Sequence, residues 1–400
     1  MTRPLFSAGT ARGGTNLLTY LLSANPQVSM AADPYLPLFR SLRNAIIRHR
    51  AHPDVQQTFD PASPIGDYYF SPEQIGVMDC LQASDLDLPV SQAERPALLE
   101  ALRQRTGLTC PYLVSGLEAL GGGTYEELFR SALALLETAR QAQGRAWGGF
   151  NENWAVEFFS PLARAFPDAR FLIMLRDPRA AISSNRRVSN PSLIAHAPSF
   201  ARHWRKCAAF ALYFQAHPLF AGRLHVLTYE QLVNEPERTA RALCEFLEID
   251  YDPAMLQTSR YVDLATGETW RGNSNYAVTT SGIDPTRIDR WRQFLPDDAA
   301  KTIEWICDPD LRLFGYQAAH DSAAADPAVL AFLRAEHEAS RNWRTDGRDP
   351  ERDFAQELFR QSVLAADRPA DPDAIRRTCL FPEVYERLKH EATGAAVHAG

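Results

Sequence analysis

A chain of 400 residues with 45% apolar and 23% charged positions has the composition of a folded globular protein, not of a disordered or fibrous one. Its net charge of −7 argues against a general nucleic-acid binder and confines any polyanion site to a local cluster. The six cysteines (Cys80, Cys110, Cys207, Cys244, Cys307 and Cys379) show neither metal-ligand spacing nor a disulfide framework, no apolar run suits a membrane span, and a strand begins within a few residues of Met1; a cytoplasmic protein with reduced cysteines is expected.

Pro4 to Gly9 reads as a short apolar strand, and Leu17, Leu18, Leu21 and Leu22 recur at helical spacing just beyond it. Between them Gly9, Gly13 and Gly14 let the backbone turn, so the N–H groups of Thr15 and Asn16, opening the helix, point at whatever occupies the turn. Gly9 and Gly14 have the spacing of a nucleoside triphosphatase loop, yet Thr15 and Asn16 stand where that loop has its lysine and its magnesium-binding hydroxyl. Arg12 supplies the charge instead, which suits an anionic ester held without a metal.

Residues 34–145 read as a mostly helical insertion, broken at Pro53, Pro61 to Gly66, Pro96 and Gly121 to Gly123, and expected to cover an acceptor cleft. Its basic stretch, Arg40, Arg43, Arg48, His49 and Arg50, reads first as a solvated helix face. Phe171 to Leu175 is then a continuous apolar strand of the kind a parallel sheet buries on both faces. It runs into Arg176-Asp177-Pro178-Arg179, in which Asp177 and Pro178 are helix-start residues. Arg176 lies at the strand's carboxyl end, the ligand side of open α/β sheets, and with Ser184 forms a candidate grip for a second phosphate.

The predicted fold is therefore α/β, a central parallel sheet of about five strands flanked by helices. Residues 1–320 would form the domain, with the insertion at 34–145, and 321–400 a helical C-terminal extension. That extension has three open roles: packing back on the domain, covering the acceptor cleft, or mediating a homodimer contact.

Arg12-Gly13-Gly14-Thr15-Asn16-Leu17-Leu18, followed by Asn25-Pro26, resembles the first motif of sulfotransferases that use 3′-phosphoadenosine 5′-phosphosulfate (PAPS), broadly Arg-Ser-Gly-Thr-Thr-Leu-Leu. Gly13 and Asn16 are departures. Arg176-Asp177-Pro178-Arg179 with Ser184 resembles the second motif, and the likeness is strongest to the tyrosylprotein-related and bacterial branch. Looser likenesses lie at His225 to Pro253, at Trp270 to Ser274, and at Ile288 to Arg292 with Phe314-Gly315-Tyr316.

The resemblance implies a P-loop-like fold, PAPS as donor, the bisphosphate PAP as product, no metal, and a hydroxyl acceptor on a peptide tyrosine, sugar or small molecule. It implies that Arg12, Gly13, Gly14, Thr15 and Asn16 hold the 5′-phosphosulfate and that Arg176 and Ser184 hold the 3′-phosphate. Tyr229 would pack near the nucleotide, and Arg271, Gly272, Asn273 and Ser274 would close over it. In the tyrosylprotein branch a glutamate just beyond the first helix is the base, and the matching position here is Asp33. Relatives carry a lysine at the transferring group where this chain has Asn151, in Gly149-Phe150-Asn151-Glu152.

Sulfuryl transfer is an in-line displacement, so positioning and charge stabilisation dominate it, and the acceptor needs a base within hydrogen-bond reach. Arg12, Asp33 and Asn151 are the catalytic candidates. Three accounts of Asn151 stand open: a neutral donor suffices, a basic residue such as Arg271 fills the place, or the protein binds the nucleotide without turnover. A nucleotide kinase-like P-loop enzyme and an interaction protein are the remaining alternatives.

Overall fold

The computed structural model describes residues 2–184, 194–263, 266–270, 283–320, 327–340 and 349–392. The chain divides into two compact units, one of residues 1–52, 79–175 and 219–287, the other of 53–78, 176–218 and 288–400.

The first unit holds the sheet. Five strands, β1 (Arg3–Gly9), β2 (Val28–Ala32), β3 (Trp147–Asn151), β4 (Arg170–Leu175) and β5 (Leu224–Thr228), run parallel in the order β2-β3-β1-β4-β5. Successive strand residues point to opposite faces, and here each face meets a separate apolar layer. Leu5, Met30, Trp147, Leu172 and Met174 pack with Leu18, Leu21 and Leu22 of helix α1 (Thr15–Ser23). On the other face Phe6 meets Phe150 edge-on at 5.3 Å and stacks on Phe171 at 5.6 Å. Burial on both sides explains why β1 and β4 read as apolar runs instead of alternating ones.

Register places the loops. Ser7 of β1 is level with Asn151 of β3, Ala32 of β2 is also level with Asn151, and Gly9 is level with Met174 of β4. The carboxyl ends of β2 and β3 thus finish level, with β1 ending two residues beyond them, which brings the residues after each strand into one neighbourhood. Gly9 is required there, since a Cβ on it would lie 2.2 Å from the Met174 carbonyl oxygen.

Between β2 and β3 the chain contributes helix α2 (Leu36–Arg50) and helices Arg95–Thr109 and Tyr125–Ala139 to this unit, the last begun by a reciprocal Thr124–Glu127 capping box. The basic stretch of α2 is largely surface: Arg48 pairs with Glu94 at 2.5 Å and Arg50 with Asp87 at 3.3 Å, whereas Arg43 is buried.

The second unit is helical and is organised around Ala197–Ala216. That helix buries Arg202 and Arg205, which pair with carboxylates: Arg202 with Asp67 at 3.1 Å and Glu336 at 2.6 Å, Arg205 with Glu357 at 2.6 Å. Arg360 pairs likewise with Asp310. Buried charges are tolerated only when matched in this way.

Candidate functional site

The turn after β1 is closed by a hydrogen bond from the Gly13 N–H to the Thr10 carbonyl at 2.8 Å. Arg12 and Gly14 adopt left-handed backbone, with φ of 62° and 93°. Gly14 then serves as N-cap of α1 without any side-chain cap, so the Thr15 and Asn16 amides at the helix start are not taken up by a capping side chain. A Cβ on Gly14 would fall 2.4 Å from Tyr229 Cδ2, so the Tyr229 ring lies directly against the turn. Beneath it the buried hydroxyls of Ser7 and Thr10 have no hydrogen-bond partner among the described residues. The turn predicted from glycine spacing and the tyrosine named from resemblance therefore meet.

Asp33 follows β2 directly and also has a left-handed backbone, φ 52°, strained for a residue with a side chain. Six hydrogen bonds hold it. Its N–H donates to the Asn151 carbonyl at 2.8 Å, extending the β2–β3 ladder by one residue. Its own carbonyl accepts from Arg105 Nε and Thr109 Oγ1, both at 3.1 Å, on helix Arg95–Thr109. Its carboxylate is clamped by two asparagines: Oδ1 accepts from Asn151 Nδ2 and the Asn153 N–H, each at 3.2 Å, and Oδ2 from Asn153 Nδ2 at 3.3 Å. Burial pushes the Asp33 carboxyl above its ordinary value, against the opposing pull of Arg105 and of the Asn153 and Asn151 hydrogen bonds.

Asn151 is fully buried, and its Oδ1 has no hydrogen-bond partner among the described residues. Its amide N–H donates to Asp33 and, at 3.4 Å, to Asn153 Oδ1. Glu152 lies alongside, 1% exposed, with Oε2 accepting from the Tyr35 N–H at 3.0 Å and Oε1 3.8 Å from Arg105 Nη2. Burial, and then the Asp33 charge, hold the Glu152 carboxyl well above the usual carboxylate range despite Arg105 and the Tyr35 and Leu36 amides.

In the second unit Asp177 caps helix Pro178–Ser183 through its Oδ1, which accepts the Arg179 N–H at 2.9 Å, as the Asp-Pro sequence implies. Arg179 is buried, pairs with Asp177 Oδ2 at 2.7 Å and with Glu304, and lies over the Trp291 ring. It is a structural arginine. Arg176 is 8% exposed and its carbonyl accepts from Trp204 Nε1 at 2.8 Å, while the Ser184 hydroxyl donates to the Ala181 carbonyl at 2.8 Å. Arg271, Gly272, Asn273 and Ser274 lie outside the described residues.

Sequence reasoning missed Asn153 and Arg105. The Asn-Glu-Asn run at the end of β3 was a local signal for the first. Arg105, 72 residues from Asp33, had none.

The sequence profile of the Sulfotransferase family matches residues 4–253. Among similar proteins, Carbohydrate sulfotransferase 3 of Tetronarce californica is 26% identical over 185 residues, covering 42% of this chain and 41% of that protein. Protein-tyrosine sulfotransferase 1 of Danio rerio is 28% identical over 190 residues, covering 45% of this chain and 52% of that one. The matched region thus spans about half or less of these relatives' own length. A solved structure titled sulfotransferase domain from the curacin biosynthetic pathway superposes with a TM-score of 0.42 at 15% identity, covering 79% of this chain and 99% of that one. The profile match takes in the glycine turn, the Asn151 strand end and Arg176 to Ser184 within more than half of the chain, and on it the protein belongs to the sulfotransferase family.

Proposed function

We propose that this protein transfers the sulfuryl group of PAPS to an acceptor hydroxyl, with Asp33 as base and without a metal. The observation that carries the reading is the Asp33 carboxylate itself: amide-clamped, raised in proton affinity, and in the same compact unit as the anion-binding turn. A base is most useful when its pKa is drawn toward the working pH and its geometry is set in advance.

The residues fit the donor. The α1 amides and Arg12 suit the 5′-phosphosulfate, the unpartnered Thr10 hydroxyl offers a further donor at the turn, and Tyr229 supplies a ring beside it. In the reaction the acceptor oxygen forms a bond to sulfur as the sulfur–oxygen bond to the 5′-phosphate breaks. The electron pair of that bond stays on the phosphate oxygen, giving PAP, and the acceptor proton passes to Asp33. Arg176 and Ser184 would take the 3′-phosphate.

Asn151 does not replace the missing lysine in this reading. Its N–H groups face Asp33 and Asn153, so it positions the base, and Arg12 is the cation at the leaving oxygen. The acceptor belongs to the hydroxyl class, which includes the carbohydrates and protein tyrosines for which the relatives are named.

The test is incubation with ³⁵S-labelled PAPS, in the presence of a chelator, against sugar, tyrosine-peptide and phenolic acceptors, alongside calorimetry with PAP. Label transfer with chelator present supports the reading. PAP binding without transfer or sulfate release points to a binding protein, a reading favoured by the uncharged Asn151. Absence of PAP binding overturns both.

A further inference from the structure

The buried carboxylate of Glu152 is not needed as a sulfuryl ligand, yet it is built into the strand ends and helix start that flank Asp33. Its backbone N–H donates to the Ser7 carbonyl at 2.8 Å, which anchors the end of β3 to β1. Its side chain reaches the Tyr35 N–H at 3.0 Å and thereby caps, from another strand, the start of α2, two residues after Asp33. Arg105 spans the pair. Its Nε binds the Asp33 carbonyl at 3.1 Å while its Nη2 lies 3.8 Å from Glu152 Oε1. That Oε1 is buried with no hydrogen-bond partner among the described residues.

We propose that Glu152 is a positioning residue for Asp33, and that the two carboxylates work as a pair holding one proton between them beside Arg105. This rests on the assignment of Asp33 as base. Two buried carboxyls that share one nearby guanidinium cannot both ionise cheaply, so one keeps its proton and the other is the available base. Geometry assigns the roles. Asp33 receives three donors on its carboxylate and keeps some exposure, so it bears the charge; Glu152 is sealed and retains the proton. The direction of both carboxyl displacements agrees, since the Asp33 charge raises Glu152. The other titratable groups that interact with the pair are Arg105, with both carboxyls, and Cys110, with Asp33; of these Arg105 carries the charge near neutrality. When Asp33 accepts the acceptor proton its charge vanishes and the push that keeps Glu152 protonated is relieved.

The test needs no acceptor. In the full chain labelled with ¹³C at glutamate side-chain carboxyls, Glu152 is identified as the signal lost in E152Q and followed with pH. It should titrate above the main glutamate group, and its midpoint should fall in D33N by about 1 pH unit or more. R105Q provides a second measurement and should move the Glu152 midpoint upward, because a neighbouring cation has been removed. A Glu152 midpoint within the main group, or one that neither substitution moves, overturns the pairing. Failure of the sulfotransferase reading would show separately, as lack of PAP binding by the parent protein, whatever the carboxyl titration does.

Discussion

The side-chain amide of Asn151 donates to Asp33 Oδ1 across 3.2 Å, joining the ends of two adjacent parallel strands through a residue at the position where the family resemblance implies a lysine. The substitution therefore leaves a group that orients the carboxylate instead of one that competes for it. It also keeps the carboxylate basic, because an amide draws on a charge much less than an ammonium does.

D33N should lower kcat by about 10²–10⁴-fold with PAP affinity unchanged, the range expected for loss of a positioned base. It should not lower the melting temperature. Asp33 is an acid whose folded-state proton affinity is raised, so the folded chain binds more protons than the unfolded chain in the window above the ordinary carboxylate range, and stability falls as pH rises through it. A neutral asparagine removes that cost. Steady-state kinetics and a melting curve at neutral pH check both halves.

The same raised affinity predicts the acid limb of the pH–rate profile. Activity should fall as pH drops through the Asp33 midpoint, at a pH above that of an ordinary aspartate. N151K should shift this limb to lower pH, since a cation beside the carboxylate favours its charged form. A kcat/KM profile of parent and variant that overlays would show that Asp33 does not govern the limb.

G14A should weaken PAP binding and destabilise the fold by about 1–3 kcal/mol, the cost of a side chain in a left-handed conformation. The methyl would also meet the Tyr229 ring, which has to move away from the turn. Y229A in the same background should recover part of the stability without restoring binding, as read by melting curves and calorimetry.

The two arginines of the Arg-Asp-Pro-Arg segment should separate. R176A should raise the Kd for PAP by about 10- to 100-fold, the usual worth of a charge-assisted contact. R179A should cost about 3–5 kcal/mol, because it leaves the buried Asp177 and Glu304 carboxylates without their cation.

Glu304 extends that prediction to pH. Burial pushes its carboxyl up, but hydrogen bonds from Arg179, the Ala319 N–H and His320, with the Arg179 charge, bring it below its ordinary value. Its contribution to stability is thus present above the unfolded-state midpoint and is lost as pH falls through the folded-state one. Acid unfolding should begin at a higher pH in R179A than in the parent, followed by circular dichroism.

Much of the fold was legible locally. Apolar runs marked β1 and β4, leucine spacing marked α1, and Asp177-Pro178 marked the start of the next helix, because sterics and hydrogen bonds within a few residues decide those elements. Glycine spacing marked the turn, and Gly14 is indeed left-handed. Resemblance singled out Asp33, Asn151 and Tyr229 but was silent on their contacts. It also treated Arg179 only as part of a motif, whereas its partner Glu304 lies 125 residues away.

By itself the sequence determined an α/β sheet with a glycine turn at the end of its first strand, since strand burial and turn chemistry are local properties of the chain. Only the tertiary structure decided what Asn151 does. Asp33 and Asn151 are 118 residues apart and meet because β2 and β3 pair in parallel with their carboxyl ends level. The clamp, the raised carboxyl and the neighbouring Glu152 and Arg105 all follow from that register, which no local pattern specifies.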